Sequence, residues 1–305
     1  MSDSALTRAN TFLADFARAG AGEVVDVPGG FAALNERYPH SRADNQLVVE
    51  GDPSPEALLR TAETALGHLP YRRLCVLREE TADACREALL HAGYAHEPLL
   101  VMRHTGASPA PRGRRAETVD LDSLREPVAA FLRELLPAGT DEQVVRDLVE
   151  RRAARESAAP AVEFLASRAE SGEPAAWADL YLDPARGVAQ LEDLVTHPAH
   201  RRQGHADAVL ATALHRASEA GCGLRFLLAD ESDWPRHWYR RRDFTVIGRS
   251  HTFERIDDTA SEAPATPDTE RNSHAERGPD AERTSDTERG PDAERGPGSA
   301  VRERR

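Results

Sequence analysis

The chain has 305 residues and a formal net charge of −13, from 52 acidic side chains against 39 basic ones. Every one of the 39 basic residues is arginine, because the sequence contains no lysine. That excludes a Schiff-base lysine and a phosphate loop ending in Gly-Lys-Ser/Thr, and the acidic balance argues against a nucleic-acid partner.

The first predicted element is an amphipathic helix over residues 4–19, with Leu6, Phe12, Leu13 and Phe16 on one face. Strands are expected at 23–27 and 46–49, then a helix at 55–66, a strand at 73–78, a helix at 82–92 and a strand at 98–102. Residues 105–114, Thr-Gly-Ala-Ser-Pro-Ala-Pro-Arg-Gly-Arg, read as a linker. The second half begins with a strand at 116–121 and a helix at 124–136. A helix at 141–154 follows the N-cap candidate Thr140. Strands at 162–168 and 177–182 flank a hairpin turn at Glu170-Ser-Gly-Glu-Pro174. A strand at 188–195, a helix at 204–220, a strand at 224–229, a helix at 234–241 and a strand at 244–253 complete the body. Hairpin strands followed by strands alternating with helices imply an α/β fold, one mixed sheet with helices on both faces.

Residues 257–305 hold no aromatic, Leu or Ile and a single Val, with Glu-Arg pairs recurring every six residues. Such a segment cannot bury enough apolar surface to offset its ordering entropy, so it reads as a disordered tail. It carries 13 acidic and 8 basic residues, which leaves the body eight excess negative charges. A shift of 150 residues lays 74–94 over 224–244, a faint internal repeat of strand, helix and strand. Cys75, Cys85 and Cys222 lie far apart in no metal-like spacing and read as free thiols of a reducing, cytoplasmic setting. No signal-peptide pattern and no apolar run long enough to span a bilayer is expected.

The densest motif is Leu191-Glu-Asp-Leu-Val-Thr-His-Pro-Ala-His-Arg-Arg-Gln-Gly-His-Ala206, which leaves a strand and enters a helix. Arg201-x-x-Gly204-x-Ala206 at a helix start is an anion cradle: first-turn amides lack intrahelical partners, and small residues admit a diphosphate. Arg202, Gln203 and His205 share that loop. His197, His200 and His205 have uneven spacing and no cysteine beside them, so no metal site is expected.

This stretch resembles the acetyl-CoA-binding motif of the GNAT superfamily of N-acetyltransferases, Gln/Arg-x-x-Gly-x-Gly/Ala. Val195-Thr-His-Pro198 matches the strand ending that leads into that loop. Downstream, Trp238-Tyr-Arg-Arg-Arg-Asp-Phe244 is similar to the family's Tyr-x-x-x-Gly-Phe signature, with Asp243 in place of the glycine. The resemblance covers residues 115–256 and implies a GNAT-like acyl-CoA N-acyltransferase fold in two tandem units. Residues 1–104 would be a degenerate unit, 105–114 a linker and 115–256 the catalytic domain.

The resemblance also implies roles. The backbone of Leu194, Val195 and Thr196 would pair with the pantetheine arm of acetyl-CoA, and the amides of Arg202–Ala206 would hold its pyrophosphate. Tyr239 stands at the general-acid position. Glu192 or Asp193 would serve as base; in a regular strand the two point to opposite faces, so only one meets the substrate. Ser232 falls where many relatives place an Asn that contacts pantetheine. Arg240, Arg241 and Arg242 either meet the CoA 3′-phosphate or solvate a helix end. In the first half Leu89 stands where Tyr239 does, and Gly51-Asp-Pro-Ser-Pro55 supplies proline and acid where a cradle needs free amides. The expected partner is a small-molecule or peptide amine, with no nucleic acid and no membrane. The oligomeric state is not legible, a homodimer being one arrangement left open.

Overall fold

The computed structural model describes residues 4–107 and 113–257. The tail reading therefore lies almost wholly outside the described residues, as does the middle of the linker. Helix caps follow the sequence. Helix α1 (Ala5–Gly20) starts behind Ser4, whose hydroxyl accepts from Thr7 N, and α2 (Pro55–Leu66) behind Ser54 with proline in its first turn. Helix α3 is Glu79–His91, and α4 (Leu121–Leu135) is capped by Asp120. Helix α5 (Glu142–Arg155) is capped by Asp141, whose carboxylate accepts from Gln143 N, and not by Thr140, whose hydroxyl donates to Pro137 O instead. Helices α6 (His205–Glu219) and α7 (Pro235–Arg240) complete the set.

Among the described residues eleven strands form a single sheet. In chain order they are β1 (Glu23–Val27), β2 (Gly30–Leu34), β3 (Gln46–Val49), β4 (Tyr71–Val76), β5 (Ala95–His104) and β6 (Glu117–Val119). Then come β7 (Ala161–Arg168), β8 (Pro174–Asp183), β9 (Val188–Thr196), β10 (Leu224–Asp230) and β11 (Phe244–Ile256). The sequence reading missed β2, whose run Gly-Phe-Ala-Ala-Leu carries no polar alternation because Phe31, Ala32 and Ala33 are all buried.

The spatial order is β1-β2-β3-β4-β11-β5-β10-β9-β8-β7-β6. The two halves interdigitate at its centre: β11 lies between β4 and β5, and β5 lies between β11 and β10. The 150-residue repeat is visible in the elements, since α2 starts at 55 and α6 at 205, and β5 at 95 and β11 at 244. Exchanging β4 with β10 and β5 with β11 reproduces the central order read backwards. The parallel pairs β3–β4 and β9–β10 flank it symmetrically.

Helices cover both faces. Helix α6 packs Val209, Leu210 and Ala213 onto Leu180, Leu191 and Leu227 of the sheet, and α2 and α3 cover the same face of the first half. On the other face α1 packs Phe12 onto Phe226 and Phe16 onto Tyr181, while α4 and α5 pack onto Phe164, Trp177 and Val195. No helix among the described residues is long and apolar enough to cross a membrane.

Candidate active site

The sheet opens between β9 and β10. These strands pair in parallel over only three residues, Val188, Ala189 and Gln190 with Leu224, Arg225 and Phe226. Strand β9 then continues to Thr196 beside β8 and β10 to Asp230 beside β5 without pairing to each other, which leaves a V-shaped gap from Leu191 onward. In the first half β3 stays paired with β4 through Val49, its last residue, and no such gap forms.

A β-bulge marks the start of the gap. The register between β8 and β9 shifts between Trp177 and Asp179, and Asp193 adopts φ 52°. This corrects the expectation that Glu192 and Asp193 face opposite ways, because the extra residue breaks the two-residue alternation. Arg155 Nη1 lies 3.2 Å from Glu192 Oε1 and 3.5 Å from Asp193 Oδ2.

The two carboxylates differ in their surroundings. Asp193 has no side-chain exposure and receives Arg152 Nη2 at 2.7 Å, with Arg151 Nη2 at 3.6 Å. Arg152 also donates to Asp179 of β8 at 3.1 and 3.2 Å, and Tyr181 donates its hydroxyl to Asp179. Three guanidinium groups thus face Asp179, Glu192 and Asp193, a balanced buried cluster whose loss of any member would strand a charge. Glu192 keeps 14% of its side chain exposed and lines a cavity under α1, shared with Phe16, Asp44, Gln46, Arg73 and Gln190. Burial pushes the Glu192 carboxyl up to about 6, opposed by Arg155 and reinforced by Asp193.

The predicted cradle lies at the far end of β9. Gly204 caps α6 at φ +81°, a conformation that favours glycine, and a Cβ added there would meet nothing within 4 Å. Arg202, Gln203 and Gly204 are exposed, with Arg202 at φ 61°, and Arg201 N bonds to Pro198 O. His205 and Ala206 are buried, and the His205 ring faces Ser167 Oγ at 2.9 Å, so its side chain points into the protein. Burial holds the His205 imidazole below its usual value. His200 pairs with Glu173, and His197 accepts from Ala199 N. Thr196 Oγ1, at the end of β9, is buried with no partner among the described residues. Open space over Gly204, first-turn amides and an orphaned hydroxyl beside the gap fit an acyl-CoA arm and its diphosphate.

Tyr239 is 5% exposed and packs between Trp238 and Phe244, with ring centroids at 5.1 and 5.5 Å. It belongs to the apolar cluster of Leu194, Ala206 and Leu227 on the α6 face, whereas Glu192 lies on the α1 face. The two proton-transfer candidates therefore flank the gap from opposite sides. Ser232 turns both its amide and hydroxyl to Asp230 Oδ1 at 2.7 Å and lines a different cleft. Arg242 stacks on Trp238 and donates to Asp207 at 2.5 and 2.8 Å, so this member of the arginine run braces the start of α6. Asp243 keeps the glycine-like turn at φ 61°, where its carbonyl accepts from Thr105 N.

Sequence reasoning missed Arg152, Arg155, Asp179 and the first-half residues Asp44, Gln46 and Arg73. One signal was present: Asp179 is a lone carboxylate in the apolar run 174–182, which demands a buried cation. Arg151, Arg152 and Arg155 share a helix face and answer it.

Residues 129–244 match the acetyltransferase (GNAT) family, and this stretch of the chain is a GNAT domain. A mycothiol acetyltransferase of Stackebrandtia nassauensis is 33% identical over 146 residues, 41% of this chain. That match spans 46% of the relative, just under half of its length. Among solved structures, a GCN5-related N-acetyltransferase from Kribbella flavida aligns with TM-score 0.54 at 20% identity, over 86% of this chain and 99% of its own. A functionally unknown conserved protein from Staphylococcus epidermidis aligns with TM-score 0.58 at 11% identity, over 78% of this chain and 95% of its own. Both are likenesses of fold, and each extends well beyond the GNAT stretch into the first half.

Proposed function

We propose that the protein is an acetyltransferase that moves the acetyl group of acetyl-CoA to a primary amine by direct attack in a ternary complex. The observation that carries this reading is the gap between β9 and β10, which opens beside Glu192 in the second half and is closed in the first. The free edge of Leu194–Thr196 would take the pantetheine arm as an added strand, with Thr196 Oγ1 beside it. The amides of Arg202–Ala206 would take the diphosphate at the positive end of α6.

In this reading Glu192 is the base, because it alone of the two carboxylates retains access to a cavity. The amine lone pair forms the C–N bond, the C–S bond breaks, Glu192 takes a proton from nitrogen and Tyr239 gives one to sulfur. The protein contributes orientation above all, which suits a chain without lysine. The first half closes the cavity by supplying α1, Asp44, Gln46 and Arg73, a supporting role for residues 1–104. The acidic body steers cationic amines toward the site.

The test is thiol release from acetyl-CoA with a panel of amino acids, polyamines, aminoglycosides and mycothiol-related amines. Turnover of one of them, lost in Glu192→Gln, supports the enzyme. Acetyl-CoA binding without turnover of any amine supports a non-catalytic acyl-CoA sensor instead.

A further inference from the structure

Gln190 lies two residues before Glu192 on β9, ahead of the bulge, so both side chains fall on the α1 face. It is 3% exposed, and its Oε1 has no hydrogen-bond partner among the described residues. Its Cα partners are Tyr181 of β8 and Phe226 of β10, the last pair before the strands part. The same cavity is walled by Leu13 and Phe16 of α1 beside Asp44, Gln46, Arg73 and Glu192, and none of these donates to the Gln190 oxygen. A buried carbonyl oxygen left without a donor destabilises the free protein, and a glutamine there is justified by a ligand that donates to it.

We propose that Gln190 is the residue that selects primary amines, its Oε1 accepting an N–H of the acceptor nitrogen. This rests on the acetyltransferase reading. The chemistry distinguishes amine classes. When a primary amine attacks, nitrogen carries two hydrogens as the C–N bond forms. One leaves as a proton to Glu192, and the other remains on the amide product, bonded to Gln190. An N-methyl amine gives its one hydrogen to the base and leaves Gln190 without a donor.

The experiment compares wild type with Gln190→Met, an unbranched apolar replacement of similar length, by thermal melting and by thiol release. The substrates are the amine turned over fastest in the panel above and its N-methyl derivative. Removing an unsatisfied buried oxygen raises Tm by ~3 °C. The same variant lowers kcat/KM for the primary amine about 10-fold or more and abolishes the preference over the N-methyl derivative. A fall in Tm would show that the amide is bonded within the fold, and the assignment would be wrong. So would a higher Tm with the amine preference intact. If wild type releases no thiol with any amine, the acetyltransferase reading itself fails and this assignment goes with it.

Discussion

Arg155 Nη1 stands 3.2 Å from Glu192 Oε1, at the point where β9 leaves β10. One guanidinium therefore orients the carboxylate that borders the cavity while sharing itself with the fully buried Asp193 at 3.5 Å.

Burial outweighs Arg155 and leaves the Glu192 carboxyl titrating near 6. A base must be ionised, so kcat/KM is expected to rise with pH through about 6, and Glu192→Gln removes that limb. Stability runs the other way. The folded pKa is raised above the ordinary 4.5, so the folded state binds more protons between these values and Glu192 costs stability as pH rises from 4.5 to 6. In Glu192→Gln the fall in Tm between pH 4 and pH 7 should be smaller than in wild type, because the group that loses its proton over that window is gone. Calorimetric melting at both pH values checks this.

Tyr239→Phe keeps the ring packing against Trp238 and Phe244 and removes only the hydroxyl. Turnover is expected to fall ~10²-fold or more, with the Kd for acetyl-CoA unchanged. Equal turnover would remove Tyr239 from the reaction.

Asp179→Ala leaves Arg152 facing Asp193 alone in a site without solvent. Breaking a buried pair by one partner costs about 3–5 kcal/mol, so Tm should fall by roughly 10 °C. A denaturation curve with an unchanged midpoint would contradict the balanced-cluster account.

Deleting residues 1–104 removes β5 from between β10 and β11. The remainder is expected to show no cooperative melt, because two central strands lose their shared neighbour and Phe226 and Leu228 lose the α1 residues packed with them. Far-UV circular dichroism with temperature reads this directly.

Much of this was legible in the chain. The strand at 46–49 and the helix at 55–66 were bounded by clear apolar periods and, for the helix, by the Ser54-Pro55 cap. The turn into α6 was legible because Gly204 carries its own conformational reason. The bulge was not, since Asp193 in a left-handed backbone conformation looks in sequence like any strand residue. The exchange of β5 and β11 across the sheet centre was equally hidden, because local periodicity says nothing about which strand is a neighbour. Gln190 carried no signal until its oxygen was found buried without a donor.

The most direct test of the central claim is calorimetric titration of acetyl-CoA into wild type, Gly204→Asn and Gly204→Glu. Asparagine tolerates the φ of +81° and open space surrounds the position, so Gly204→Asn should bind nearly as wild type. Glutamate adds strain and a negative charge where the diphosphate is expected, and binding should be lost while the protein remains folded. Equal binding by Gly204→Glu, or none by wild type, would contradict the placement of acetyl-CoA along β9 and the start of α6.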